Sequence, residues 1–546
     1  MRLLFLLLFV DKSMTDILLI QPPALKASEP PLALAVLMAS LQQRGCVAAV
    51  LDANLGAYLY LLDAERLAQL AGEQPATRVK RALRHRDNSL QRLRSLATSK
   101  SSARYATAIG YLNQLLALYC PDGSGERLTL GDYQHNNYSV FNPTDLERFS
   151  GGQASTLFRE YFVDALLPQI VALAPATIAI SINYLHQVFP AFELAGLLKR
   201  QFPNLPLVVG GGLITSWQQP LRRTGLRFSV FDRVVFGPGE APIADLIQGR
   251  AGDSYFLSDA SQICFCPDFD FADLSDYLSP QPVLPVSSSR GCYWQNCLFC
   301  PEATAPVHPF ASTAVQTFPA LLRQLHQQYG VRIFHLTDNA IPINILKSLA
   351  DQPTELAGLN WFGFVRFEAA LEDAAFVQRL ADSGCRMLQL GLESGSQQVL
   401  DRLAKGVQVA AAAKILQNLA AAGIASYVYI MLGTPGETEQ DAELTRDFLL
   451  KHAANIGFLN LSIMNLPRTS GLLDDPQYYG ISATNLRDAD GLLGLYQDFQ
   501  TSGDWDRGSA RRFLDKRLLA APIIREIVNR TPPMFTSNHA VFFAGR

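Results

Sequence analysis

The chain has little charge. Charged residues make up 17% of its 546 residues, and the formal net charge is −3. This composition gives no general attraction toward nucleic acid or an anionic membrane, so we expect neither as a partner. One basic stretch, residues 78–94, holds seven Lys or Arg residues without an interleaved Phe, Trp or Tyr. It is interpreted as the solvated face of an amphipathic helix rather than as a nucleic-acid surface.

The amino terminus lacks a hydrophobic run long enough to cross a membrane. The apolar stretch at residues 3–10 has eight residues, whereas a spanning helix needs about 20. Asp11 and Lys12 follow it without a small-residue cleavage site, which argues against a signal peptide. We expect the folded protein to begin near Met14, with residues 1–13 as an extension, and we expect it to be cytoplasmic.

Cysteine is scarce and unevenly distributed. The eight cysteines are Cys46, Cys120, Cys264, Cys266, Cys292, Cys297, Cys300 and Cys385. This is not the disulfide framework of a small secreted domain, and it favours a reducing cytosol. Three of them fall within nine residues, directly after an apolar, strand-like stretch at residues 283–286.

The C-x4-C-x2-C spacing of Cys292, Cys297 and Cys300 indicates a metal cluster. Three thiolates on one short loop can ligate three irons of a 4Fe–4S cluster and leave the fourth iron open to a small molecule. A closed zinc site needs a fourth ligand, and no Cys or His lies between residues 301 and 307. His308 is the nearest candidate for that position.

Short apolar strands that alternate with helical patterns predict an α/β protein. Residues 14–250 are predicted to form a doubly wound, Rossmann-like domain with a helical insertion at about 57–174. The elements expected in it are strands at 17–21, 47–51, 177–182, 207–209 and 233–236 and helices at 32–43 and 189–200. Residues 251–282 are predicted to be a linker, in which Cys264 and Cys266 have a structural role.

A second domain is predicted at residues 283–466. Six β-α units suggest an open, partial version of the β/α barrel, with active groups on loops at the strand ends. The expected strands are residues 283–286, 333–336, 361–365, 387–390, 427–431 and 458–463. Residues 467–546 are predicted to form a small helical cap, in which a lone histidine, His539, is interpreted as structural.

The cysteine loop resembles that of the radical S-adenosylmethionine (SAM) enzymes. Their loop most often reads C-x3-C-x2-C with an aromatic residue before the last cysteine; here Phe299 is that residue, and one extra residue separates the first two cysteines. The resemblance implies a 4Fe–4S cluster on the three cysteines. It also implies that SAM contacts the cluster loop and the strand ends through Phe299, Asp338, Asn339, Arg366, Glu393, Ser394, Leu432 and Gly433. Of these, Asp338 and Asn339 are implied for the methionine amino group and Arg366 for the methionine carboxylate.

The Arg-Gly-Cys-Tyr-Trp form at residues 290–294 resembles a branch of that family with an amino-terminal cobalamin-binding domain. The cobalamin-binding positions this implies lie beyond the strand ends of the first domain: Asn54, Ser181, Asn183, Tyr184, Gly210, Gly211, Gly212, Gly237 and Glu240. Many cobalamin proteins have Asp-x-His-x-x-Gly after the second strand, but the corresponding run here begins Asp52-Ala53-Asn54. Cobalamin is therefore expected to bind without a protein imidazole below the cobalt. The alternative is a relic domain that binds no cobalamin.

The function that this resemblance implies is reductive cleavage of SAM and, with cobalamin, methylation of an unactivated carbon. The expected partners are a small-molecule or peptide substrate, such as a natural product, and an electron donor such as flavodoxin or ferredoxin. Two alternatives remain open. A tRNA methylthiotransferase-like enzyme needs three cysteines in the amino-terminal domain, where only Cys46 and Cys120 occur. A non-catalytic cobalamin sensor or carrier would not need the complete cluster loop.

Overall fold

The computed structural model describes residues 15–97, 101–250, 255–257, 263–304, 310–485 and 491–532. Residues 1–14 and the segments that hold His308 and His539 lie outside this range, and so do the expectations about them. Contacts divide the chain into two compact units. The first comprises residues up to 83 and 113–276, and the second comprises 84–112 and 277–546. This division places residues 84–112 with the second unit, whereas the sequence assigns the whole insertion to the first domain.

The first unit is built on a six-stranded parallel sheet in the order β2-β1-β5-β6-β7-β8. Its strands are β1 (Ile17–Gln21), β2 (Ala48–Asp52), β5 (Ile178–Ser181), β6 (Leu207–Gly210), β7 (Arg233–Phe236) and β8 (Tyr255–Leu257). Five of the six were predicted to within one or two residues. The strand order reverses between β1 and β5, which is the point of such sheets where ligands usually bind.

Apolar side chains on one face of this sheet pack against the first and last helices of the unit, α1 and α12. The helices that begin before residue 250 are α1 (Leu32–Gln43), α2 (Ala53–Leu61), α3 (Ala64–Ala71), α4 (Thr77–Leu93), α5 (Ser102–Leu116), α6 (Pro143–Ser150), α7 (Arg159–Tyr161), α8 (Leu167–Leu173), α9 (Val188–Gln201), α10 (Gly212–Ser216), α11 (Gln218–Thr224) and α12 (Glu240–Ile247). The insertion also contains an antiparallel hairpin of β3 (Glu126–Thr129) and β4 (Asp132–His135).

The second unit contains the predicted six-stranded parallel sheet, in the order β16-β15-β14-β13-β12-β9. Its strands are β9 (Val283–Val286), β12 (Ile333–Leu336), β13 (Asn360–Val365), β14 (Cys385–Glu393), β15 (Ala425–Leu432) and β16 (Phe458–Ile463). Strands β9 and β16 are its two edges, so the barrel is open. The helices are α13 (Pro301–Thr304), α14 (Thr317–Tyr329), α15 (Ile343–Ala350), α16 (Ala374–Asp382), α17 (Gln397–Arg402), α18 (Val409–Ala421), α19 (Glu439–His452), α20 (Arg507–Phe513) and α21 (Pro522–Asn529).

Two segments differ from the sequence-based expectation. The predicted linker contains β8, which joins the edge of the first sheet. The chain after residue 466 was predicted to be helical, but it also forms a three-stranded sheet of β17 (Leu466–Pro467), β19 (Tyr496–Thr501) and β18 (Ile481–Asn485). A further two-residue pair, β10 (Ser289–Arg290) and β11 (Ala311–Ser312), flanks the cysteine loop. Such short strands carry too few residues for a periodic signal. Among the described residues, no helix is long and apolar enough to cross a membrane.

Candidate active site

Burial raises the pKa of Cys297, and it raises the pKa of Cys300 to about 11. Neighbouring thiolates of the loop add to both shifts, Cys292 at Cys297 and both Cys297 and Cys292 at Cys300. Cluster assembly must therefore displace protons from these thiols, as metal binding by cysteine generally does. The described residues contain no group of three or more Cys, His, Asp or Glu side chains that could hold a single metal ion.

Arg366, at the end of β13, fixes the centre of the loop. Its Nη1 donates to Cys297 Sγ at 3.8 Å and its Nη2 donates to the Lys405 carbonyl oxygen at 2.6 Å. The guanidinium carbon lies 4.1 Å from the centre of the Trp294 ring, a cation–π contact. The third nitrogen, Nε, is 3.5 Å from Glu368 Oε1, and this carboxylate also accepts from the Tyr293 hydroxyl at 2.6 Å. The implied pairing of Arg366 with the methionine carboxylate therefore competes with contacts that the protein already makes.

A turn after α17, residues 403–406, forms the other support of the loop. The Leu298 amide donates to the Leu403 carbonyl at 3.1 Å, and Trp294 Nε1 donates to the Ala404 carbonyl at 3.3 Å. Gly406 has φ of +67°, and a Cβ there would lie 2.1 Å from the Trp294 ring. Only glycine allows the ring to lie against this turn.

Lys405 reaches from this turn to Glu393. Their side chains pair at 2.9 Å, both largely buried, and Lys405 Nζ is also 5.5 Å from the centre of the Phe299 ring. Glu393 has φ of +71° and follows a register shift between β14 and β15, and such bulges re-aim a side chain next to a site. A Cβ at Gly391 would lie 2.5 Å from Glu393 Oε1 and 2.8 Å from Lys405 Nζ, so glycine leaves room for the pair.

Asp338 anchors the strand end that precedes the loop. Its Oδ1 accepts from the hydroxyls of Ser288 at 2.7 Å and Ser289 at 2.6 Å, and its Oδ2 accepts from the Ser288 amide at 3.1 Å. Burial raises the pKa of Asp338 in spite of these donors. Its neighbour Asn339 is exposed. The contacts of these two residues with the methionine amino group, implied by the resemblance, remain a prediction. Asn339 is the more accessible of the two to a ligand, because it is exposed and Asp338 is buried.

Three other implied SAM residues are held by the protein itself. Ser394 is buried, with its hydroxyl 3.1 Å from that of Thr445. Leu432 is buried at the end of β15, and the Gly433 amide donates to Glu437 Oε2. The same oxygen accepts from Thr434 N and Trp505 Nε1, both at 3.1 Å. Glu437 thus ties the glycine turn after β15 to the carboxyl-terminal segment.

This arrangement of Glu437 predicts a pH dependence of stability. Burial raises its pKa to about 7, above its ordinary value of about 4.3. The folded state then holds the proton more tightly than the unfolded state, so stability should fall as pH rises from about 5 to 8, by about 3 kcal/mol. Urea midpoints measured across this range should decline in the wild type and flatten in Glu437→Gln. Glu439→Gln, an exposed neighbour, serves as the control and should keep the wild-type slope. A Glu437→Gln slope equal to that of the wild type would contradict the assignment.

The interior of the second sheet is apolar at one end and less completely buried one layer further along. Inward side chains at the strand starts form a packed cluster: Val283, Ile333, Phe362, Met387, Tyr427 and Phe458. One layer further along, Phe364, Tyr429 and Asn460 are partly exposed, with the rings of Phe364 and Tyr429 5.3 Å apart. In the same layer Gln389 Nε2 is buried without a hydrogen-bond partner among the described residues. This layer can serve as the floor of a ligand cavity within the second unit.

In the first unit, polar side chains join the strand ends at the point where the strand order reverses. Gln187 donates to the Pro22 carbonyl at 2.9 Å and accepts from the amides of Asn183 at 2.9 Å and Tyr184 at 3.1 Å. Asn183 in turn donates to the Ser181 hydroxyl at 3.0 Å and accepts from the Gly212 amide at 2.9 Å. Three of the implied cobalamin residues, Ser181, Asn183 and Gly212, therefore bind each other. Tyr184 differs from them in being 56% exposed.

Asn54 and Glu240 are also engaged. Asn54 is buried, and its Oδ1 accepts from the Leu25 amide at 2.6 Å, while Asp52 caps α2. Glu240 is buried, and its Oε1 lies 3.4 Å from the Cys264 amide. What remains for a large flat ligand is backbone that is only partly buried at Gly210, Gly211, Gly212 and Gly237. This edge therefore offers a ligand accessible backbone rather than free side-chain hydrogen-bonding groups.

Several residues of the site were missed at the sequence level. They are Tyr293, Trp294, Glu368, Lys405, Gln389, Glu437 and Trp505. The Lys-Gly pair at 405–406, just past a predicted β-α unit, is the only local signal for the turn that supports the loop. Tyr293 and Trp294 belong to the cysteine loop itself, whereas Glu368, Gln389, Glu437 and Trp505 come from separate parts of the chain.

Comparison with known proteins agrees with this geometry. A model of the radical SAM superfamily matches residues 286–449. An uncharacterized methyltransferase of Pyrococcus horikoshii is 23% identical over 310 residues, which cover 52% of this chain and 64% of that protein. The bacteriochlorophyllide d C-12(1)-methyltransferase of Chlorobaculum tepidum is 22% identical over 216 residues, which cover 38% of this chain and 47% of that protein. The chain thus spans less than two thirds of the length of these curated relatives.

Two solved structures share the fold over nearly the whole chain. TsrM from Kitasatospora setae, a radical SAM methyltransferase with cobalamin and a 4Fe–4S cluster bound, has a TM-score of 0.54 at 15% identity, over 95% of this chain and 91% of that chain. OxsB, a cobalamin-dependent SAM radical enzyme with aqua-cobalamin and SAM bound, has a TM-score of 0.59 at 12% identity, over 92% of this chain and 67% of that chain. The predicted resemblance and fold class are thereby confirmed: residues 286–449 match the radical SAM superfamily, and the chain has a fold like that of these two cobalamin-dependent radical SAM enzymes.

Proposed function

We propose that the chain is a cobalamin-dependent radical SAM enzyme that methylates an unactivated carbon of a small organic or peptide substrate. The observation that carries the proposal is the loop of Cys292, Cys297 and Cys300. Arg366, which directly follows β13 of the open six-stranded barrel, contacts Cys297 of this loop. When bound, the cluster supplies the electron for reductive cleavage of SAM, and cobalamin supplies the methyl group for transfer. A flavodoxin or ferredoxin is the proposed electron donor.

The chain's own residues hold and shield these groups. Trp294 and Tyr293 are fixed by the turn at 403–406 and by Glu368, so they keep the loop in one conformation. The Ser470 hydroxyl donates to the Leu298 carbonyl at 2.7 Å and adds a contact from the carboxyl-terminal segment. We propose that SAM lies against this loop, within reach of Glu393, Asn339 and the turn at Leu432 and Gly433.

The substrate is proposed to enter the barrel interior. Phe364 and Tyr429 offer aromatic surface there, and Gln389 offers an amide N–H without a protein partner among the described residues. A buried donor without an acceptor costs free energy, and an acceptor on a bound ligand removes that cost. The tRNA methylthiotransferase alternative has no comparable support, because Cys46 is buried in the core of the first sheet.

The test is product analysis under anaerobic conditions. Reconstituted protein with SAM and a low-potential reductant is expected to consume SAM and to form 5′-deoxyadenosine, S-adenosylhomocysteine or both. A methyl-labelled SAM should pass its label to a metabolite that accumulates in a deletion strain. Cys120→Ala, which leaves the loop intact, should behave as the wild type. SAM that stays intact in protein with full cluster and cobalamin would overturn the proposal.

A further inference from the structure

We propose that Arg366 sets the reduction potential of the cluster through Cys297, and that it makes the cluster easier to reduce. This inference rests on the proposed function, because it requires the cluster on the loop. Arg366 is in this view a positioning residue of the cluster site rather than a SAM ligand.

The contacts of Arg366 give it one orientation. Its side chain is 7% exposed, and the guanidinium stacks on Trp294 at 4.1 Å and donates to the Lys405 carbonyl at 2.6 Å. These two contacts fix the plane of the guanidinium. In that plane Nη1 points toward Cys297 Sγ, which lies 3.8 Å away. Two of the three nitrogens therefore donate to the protein, while Nε lies 3.5 Å from Glu368 in an ion pair but makes no hydrogen bond among the described residues.

The charges around the three cysteines are unequal. Cys297 Sγ accepts from the Arg366 guanidinium at 3.8 Å, and the same guanidinium is held by the backbone of a second cationic residue, Lys405. Cys300, by contrast, is followed two residues later by an acidic residue, Glu302. The cationic side of the site is thus concentrated at one ligand, Cys297.

Reduction adds one negative charge to a cluster. Hydrogen bonds to the ligand sulfurs and nearby positive charge stabilise the reduced form, so they raise the potential. The effect is stronger for a buried group, because water screens it less. Loss of Arg366 should therefore make reduction less favourable even when no SAM is present.

The experiment is a redox titration of reconstituted protein without SAM, followed by electron paramagnetic resonance of the reduced cluster. In Arg366→Met the equilibrium constant for reduction should fall by about tenfold, which for one electron is a shift of about 59 mV to lower potential. Arg366→Lys keeps the charge but not the planar contacts, and should fall between the two. Arg379→Met removes an exposed arginine of α16 and should keep the wild-type potential.

The outcomes separate this inference from the proposed function. An Arg366→Met cluster with the wild-type potential overturns the inference and leaves the function standing. A wild type that holds no cluster overturns the function itself. If Arg366→Met fails to retain a cluster, the neutral but polar Arg366→Gln decides: a lowered potential supports the effect of Arg366 on Cys297, and an unchanged one refutes it.

Discussion

Cys297→Ala is expected to lose the cluster. Cys297 is the buried member of the three cysteines and the one that Arg366 contacts. Without it, two thiolates remain for a cluster that needs three protein ligands, and the cation pair at Arg366 and Lys405 loses the anion it faces. Iron and sulfide per chain, counted after anaerobic reconstitution, should fall toward zero, and SAM cleavage should disappear.

The matched control for this experiment is Cys120→Ala. Cys120 is a partly buried cysteine of the insertion, so its replacement tests for general effects of losing a thiol. It should retain wild-type iron, sulfide and SAM cleavage. A Cys297→Ala protein with a full cluster that still responds to SAM would remove Cys297 from the ligand set.

Regular elements of the fold could be predicted because their patterns are local. Strands β1, β9, β12 and β16 begin and end at the predicted residues, since each is a run of apolar or β-branched residues between turn signals. Strand β8 and the sheet of β17, β18 and β19 were missed. Strands β8 and β17 have only three and two residues, and β18 and β19 each have a single buried residue, so neither periodicity nor burial marks them.

The strand ends were predicted, but the contacts of the side chains that follow them were not. The sequence shows that Asp338, Arg366 and Asn183 follow the carboxyl ends of predicted strands. It does not show that Asp338 holds Ser288 and Ser289, or that Asn183 holds the amide of Gly212. Buried polar groups must find partners, and at both edges they find them in the protein first. Sequence patterns therefore locate such a site more reliably than they assign roles within it.

The two neighbouring glycines Gly211 and Gly212 provide the test of cobalamin binding. Gly211 has φ of +109°, and a Cβ there would lie 2.4 Å from the Ile182 carbonyl oxygen. Its requirement for glycine is explained by the protein alone, so Gly211→Ala should destabilise the first unit whatever the ligand. At Gly212 a Cβ would have only Asn183 Oδ1 within reach, at 3.7 Å, which is an ordinary contact.

Gly212→Leu should therefore fold normally and still lose cobalamin. The added side chain occupies the edge beyond β6, where a corrin would need to approach the backbone. We expect the affinity for hydroxocobalamin, measured by absorbance titration, to fall at least about tenfold, equivalent to about 1.4 kcal/mol. Circular dichroism and the cluster content should stay at wild-type levels, and Gly212→Ala should have a smaller effect. Wild-type affinity in Gly212→Leu would place the cofactor elsewhere, and a wild type that binds no cobalamin would identify the first unit as a relic.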